Sequence, residues 1–183
     1  MLVITRRSLV VSAALALPWA RGFAAQSGYE WRPWPPGRRA PALALQRQDG
    51  RPWQLAEMRG RVLLANFWAT WCEPCRAEMP SLARLASARA GDGLSVLAIN
   101  YREGPAAIER FMQSLSIQLP VLLDRDGSAA SAWTPRIFPS TVVFDREGRP
   151  HGVLVGEIDW ESAAARALVD PLLAAAGPRK TGL

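Results

Sequence analysis

One stretch constrains this chain more than any other: Val62-Leu63-Leu64-Ala65-Asn66-Phe67-Trp68-Ala69-Thr70-Trp71-Cys72-Glu73-Pro74-Cys75. Its first half is a nearly unbroken apolar run with an aromatic end, the pattern of a strand buried on both faces of a parallel sheet. The pattern predicts a stop at Ala69-Thr70 and a helix from Cys72. Pro74 then falls in the first helical turn, where a missing N–H costs no hydrogen bond. Cys75, Met79, Leu82 and Leu85 recur at helical spacing and give that helix one apolar face. Cys72 is therefore expected to be exposed at a helix N-terminus, with Cys75 partly buried on the inner side.

A thiolate at a helix N-terminus is favoured by unpaired backbone N–H groups and the positive end of the helix dipole. Two intervening residues leave Cys75 close enough to attack a mixed disulfide formed at Cys72, so the pair can cycle between dithiol and disulfide. A zinc knuckle would need four ligands, yet the chain has 2 cysteines and a single histidine, His151. A structural bridge this local would constrain little of the unfolded chain. Redox chemistry is the reading these residues favour, with Cys72 as nucleophile and Cys75 as resolving thiol.

The 183 residues suffice for one domain with a proper core, and a 49% hydrophobic composition fits a globular fold rather than disorder. The formal charge of +6 includes Arg6, Arg7 and Arg21 of a leader-like segment. The remaining basic residues alternate with acids, so nucleic-acid binding is not indicated. Arg6-Arg7, an apolar run over 9–17 and the small residues around Gly22-Phe23-Ala24 resemble a cleaved export signal over 1–24, with the mature chain starting near Ala25. The apolar run is shorter than the roughly 20 residues a membrane span needs. Thr5-Arg6-Arg7-Ser8-Leu9-Val10 fits a twin-arginine signal as well as an ordinary Sec leader. Export also changes how the cysteines read: structural cysteines of secreted proteins come in several pairs, whereas here there is one close pair.

Residues 25–40, rich in Pro, Trp and Arg, read as an extended arm outside the core. A folded domain is expected over 41–176 and a tail over 177–183. Asp49-Gly50 between two short apolar runs, 42–45 and 51–55, predicts a hairpin. Trp31, Trp34 and Trp53 are expected to cover a sheet edge or pack the arm; lining a partner surface is the other reading. Strands are expected over 94–99, 119–123, 140–145 and 152–156, the last at an edge. Helices are expected from Pro105, over 128–133, and from Trp160 with Asp159 as its cap. Alternating strands and helices followed by a hairpin and a helix make an α/β fold with a mixed central sheet.

The run from Phe67 to Cys75, with Phe138-Pro139-Ser140-Thr141 farther on, resembles the thioredoxin fold. More closely, it is similar to the exported reductases of the TlpA, ResA and CcmG type, which carry an N-terminal hairpin and a central helix–strand insert, here 105–123. The resemblance implies that Pro139 is a cis-proline beside the cysteines, with Phe138 offering its backbone to a substrate chain. Trp71, Glu73 and Pro74 would complete the substrate-binding surface. Asn66 stands where plain thioredoxins have a buried aspartate that helps the second cysteine lose its proton. Glu103 matches an acidic residue that the ResA-like branch places near the cysteines. It would shuttle that proton, the alternative being that it caps the helix opening at Pro105. Pro135-Arg136-Ile137 departs from the family, which commonly has a glycine next to the residue before the proline. The glycine-rich loop of the cytochrome-maturation members is also missing.

The motif carries no histidine to stabilise the thiolate, and Glu73 places an anion beside Cys72, which points to a reductase rather than a strong oxidant. The expected partners are disulfide-bearing proteins and a membrane electron donor, with a redox disulfide, no other cofactor and a monomeric chain. Substrates of cytochrome c maturation or related metalloprotein assembly fit this reading. A copper-binding assembly chaperone using both thiolates is the alternative from another class. A disulfide oxidase or isomerase is the nearer alternative. A thiol peroxidase fits poorly, because both thiols lie in one CxxC.

Overall fold

The computed structural model describes residues 28–175. The leader proposed over 1–24 and the tail over 177–183 lie outside them. Eight strands form one mixed sheet in the order β1-β8-β7-β4-β5-β6-β2-β3. At its centre is β4 (Val62–Trp68), every residue buried as the apolar run requires. It pairs in parallel with β5 (Leu94–Tyr101) and antiparallel with β7 (Ser140–Phe144). Beyond β5 lies the parallel β6 (Val121–Asp124), then the hairpin of β2 (Ala44–Arg47) and β3 (Pro52–Gln54).

Strand alternation sorts the core into two layers. Val62, Leu64 and Trp68 face α1 (Glu73–Arg89), α2 (Pro105–Ser114) and α4 (Ala163–Ala174), which contribute Met79, Leu82, Ile108, Phe111 and Val169. Leu63, Ala65 and Phe67 face the other way, onto α3 (Ser128–Trp133) and the hairpin, with Trp133 and Trp53 as the large side chains. Asn66 is in phase with Leu64 and Trp68 and so points toward α1. The parallel strands β4 and β5 end at the same edge, and β7 begins there. Loops carrying the cysteines, Glu103 and Pro139 are thereby brought to one end of the sheet.

Three expectations need correction. The arm is not outside the sheet: Tyr29–Pro33 forms β1, antiparallel to β8 (Pro150–Gly156), so the folded unit begins before residue 41 and β8 is an inner strand. Trp31 can lie on β8 because Gly152 has no side chain. A Cβ there would stand 2.4 Å from Trp31 Cζ2 and 2.7 Å from the Arg32 carbonyl oxygen. Among the tryptophans, Trp53 is a core residue rather than an edge cover, whereas Trp34 packs the arm onto Trp133 as expected, ring centroids 5.3 Å apart. The last helix starts later than expected. Ser162 is its N-cap, accepting from Ala165 N–H at 3.2 Å, while Trp160 is a buried anchor before it.

Candidate active site

Cys72 is the N-cap of α1 and is joined to Cys75 by a disulfide. Its Sγ accepts the Cys75 backbone N–H at 3.2 Å, the donor that would stabilise a Cys72 thiolate once the pair is reduced. Cys75 is fully buried, but Cys72 is buried too, at 5% exposure, against the expectation of an exposed thiol. Bonded to Cys75, its sulfur turns into the first turn of α1, and the neighbouring Trp71 is the residue that projects. Trp71 is 65% exposed and Ile137 50%, the large apolar side chains left open at this end of the molecule. Glu73 and Pro74 lie on the exposed outer side of the same turn, Glu73 at 4.0 Å from Arg76 Nε.

Phe138-Pro139 is cis. Ser140 pairs with Phe67, which sets Pro139 beside the end of β4 where the cysteine loop departs. The Pro139 carbonyl accepts the Gly156 N–H at 2.9 Å. Phe138 packs between Trp71 (centroids 5.9 Å) and Tyr101 (4.9 Å). In the preceding loop the left-handed residue is Arg136, with φ of 59°, one position before the place where the family commonly has glycine.

Glu103 is fully engaged. Its carboxylate accepts the Thr70 N–H at 2.7 Å, the Thr70 hydroxyl at 2.5 Å and the Asn100 amide at 2.8 Å. It ties the loop after β5 to the loop that carries Cys72. It does not cap α2, whose N-cap is Gly104 with no side-chain bond, which corrects the capping alternative. His151 lies on β8 rather than in a turn, beside Trp31 at 5.8 Å and five residues from the Gly156 end where Pro139 sits. That is the wrong end of the strand for a ligand to join the two sulfurs. Among the described residues no group of three or more His, Cys, Asp and Glu could hold a metal ion.

The buried acid of this site is Glu78, which the motif reading passed over. It sits one turn beyond Cys75 on the inner face of α1, 2% exposed. Its Oε1 accepts the Asn66 amide at 2.6 Å and its Oε2 accepts the Ile158 N–H at 3.3 Å. Burial pushes its pKa up to about 8, against the opposing pull of those hydrogen bonds. The signal was present in the sequence, since a charged residue lies on the apolar stripe of Cys75, Met79 and Leu82. A carboxyl titrating near the working pH, one helical turn from a thiol that must lose and regain a proton, is suited to general acid–base work.

Fold and site together define the class: this is a thioredoxin-fold protein thiol-disulfide oxidoreductase. The family model described as AhpC/TSA matches residues 36–149, and the chain belongs to that thioredoxin-like family. It is 32% identical over 120 residues to the thiol-disulfide oxidoreductase ResA of Bacillus subtilis, covering 66% of this chain and 67% of the relative. The thioredoxin-like protein YneN of the same organism is 32% identical over 123 residues, covering 66% and 71%. Among solved structures, a putative thiol:disulfide interchange protein DsbE of Chlorobium tepidum superposes with a TM-score of 0.67. It is 25% identical, and the match covers 75% of this chain and 96% of that one.

Proposed function

We propose that this chain is an exported reductase of protein disulfides, serving the assembly of cytochromes c or related metalloproteins and recharged by a membrane electron donor. The observation that carries the reading is the juxtaposition of the Cys72–Cys75 pair with the buried acid Glu78. In the reduced enzyme the Cys72 thiolate attacks a substrate disulfide, forming a mixed disulfide and expelling one substrate thiolate. Cys75 then gives its proton to the Glu78 carboxylate and attacks the Cys72 sulfur. The second substrate thiolate leaves, and the enzyme holds the disulfide seen here. Exposed Trp71 and Ile137 supply apolar contact for the incoming chain, and the backbone at Phe138 supplies a pairing edge. Glu73 beside Cys72 disfavours the thiolate and so favours the oxidised enzyme, the direction of a reductant. The relatives' names, thiol-disulfide oxidoreductase and thiol:disulfide interchange protein, support the exchange chemistry. Support for export comes from the leader-like sequence.

The test is trapping in cells. Cys75→Ser should accumulate mixed disulfides with exported proteins, apocytochromes c among them, identified by mass spectrometry, whereas Cys72→Ser should trap few. Equal trapping by both variants would overturn the roles of the cysteines. Trapped partners confined to the cytoplasm would overturn the export reading.

A further inference from the structure

Asn66 is the polar residue of β4, fully buried, and its amide is only half satisfied. Nδ2 donates to Glu78 Oε1 at 2.6 Å and to Thr141 Oγ1 at 3.0 Å, while Oδ1 is buried with no partner. The other oxygen of Glu78 accepts from the Ile158 backbone. Both of the bonds to Glu78 are donated to its carboxyl, which suits a carboxylate. A neutral Glu78 has an O–H to give, and the Ile158 N–H cannot take it. Asn66 can: half a turn of its terminal amide brings Oδ1 to where Nδ2 stands, and the Thr141 hydroxyl can reverse its role at the same time. The two ends of the amide have the same shape, and this torsion is soft.

We propose that Asn66 is a positioning residue for the thiol chemistry, its amide donating to ionised Glu78 and accepting from neutral Glu78. The buried acid can then take up the proton of Cys75 and return it with a hydrogen-bond partner in both states. The inference rests on Glu78 being the proton group of Cys75. The groups facing Glu78 leave Asn66 as the adjustable one. On its own helix Cys75 stands one turn earlier, and from β7 comes Thr141, uncharged and a partner of Asn66. From the segment after β8 come the Ile158 N–H, the Trp160 indole and the Glu157 carboxylate, whose charge opposes ionisation of Glu78. Asn66 therefore turns the local field from donor to acceptor where a fixed donor would hold the acid in one state.

The experiment follows the Asn66 side-chain amide and the Glu78 carboxyl carbon by NMR through a pH titration of the oxidised protein, where the thiols do not titrate. Both signals should move with one midpoint. Asn66→Leu, similar in volume but unable to donate, should raise the Glu78 midpoint by about one pH unit. The pH profile of mixed-disulfide resolution should move with it, slowing resolution at neutral pH about tenfold. Asn66→Thr, whose hydroxyl both donates and accepts, should restore the profile. An Asn66 amide that stays fixed while Glu78 titrates would overturn the proposal, and the wild-type titration decides it even if the leucine variant fails to fold. Glu78→Gln separates the two readings. If it leaves the pH profile of resolution unchanged, Glu78 is not the proton group, whatever the amide does.

Discussion

Glu78 makes the stability of this protein depend on pH in a direction opposite to most carboxylates. An ordinary glutamate titrates at 4.5, and here the folded state moves that to about 8. Between these values the folded chain keeps a proton that the unfolded chain has lost, so stability is full below about pH 4.5 and falls as pH rises toward 8. The slope is at most about 1.4 kcal/mol per pH unit. Urea unfolding of the oxidised protein from pH 5 to 8 should show this decline, and Glu78→Gln should flatten it. The carboxylates Glu30, Asp49, Glu57 and Asp126 lie at the surface, and their hydrogen bonds lower their pKa values, away from that window. Glu103 acts on the site differently. Glu103→Ala leaves the Thr70 N–H and hydroxyl without their acceptor, and should cost about 1–3 kcal/mol in denaturant unfolding. Glu103→Gln, keeping one acceptor oxygen, should recover part of this, and unchanged stability in the alanine variant would show that the loop does not depend on the tie.

At the scale of elements, the strand–loop–helix unit around the cysteines was legible because each local signal agreed: apolar run, break, N-terminal proline, apolar helical stripe. The hairpin and the helix–strand insert were legible for the same reason. β1 was not. Its proline- and arginine-rich neighbourhood hides a five-residue alternation in which Tyr29 and Trp31 turn inward, and a half-buried edge strand has little else to show. What makes it a strand is Gly152 on β8, 121 residues after Trp31, leaving room for the ring. Gly152→Ala should push Trp31 away and detach β1 at a cost of about 1–3 kcal/mol. Proteolysis in the 28–34 segment reads this out, and wild-type resistance in the variant would show that the strand tolerates the crowding.

For the whole molecule, the direction of disulfide exchange is a statement about relative stability. A strong oxidant is one whose reduced form is the more stable, so a reductase should show the reverse. The oxidised protein is expected to melt above the reduced protein under otherwise equal conditions. A reduced form that melts higher would place this enzyme with the oxidants. The same end of the sheet holds the disulfide, the cis-proline and the open apolar side chains of Trp71 and Ile137. The chain also enters β1 there, since Tyr29 pairs with Gly156, whose N–H bonds to Pro139. The first described residues, Gly28 and Tyr29, therefore lie beside the reactive site.

By itself the sequence determined the cysteine pair and the helix that carries it, because these depend on residues within one turn or one strand of each other. It also set Asn66 apart, at the place where plain thioredoxins have an aspartate, while the acid Glu78 on the apolar face of α1 went unread. Neither meant much alone. Only the tertiary structure decided that β4 and α1 bring the two within 2.6 Å, with Thr141 and Ile158 as their other partners. It likewise showed Glu103, expected as a proton shuttle or else a helix cap, tying two loops together, and moved Cys72 from the surface to a buried disulfide. Burial, which sets the charge state of a carboxyl, and hydrogen bonding across 75 residues of chain are properties of packing. Local pattern carries no record of them.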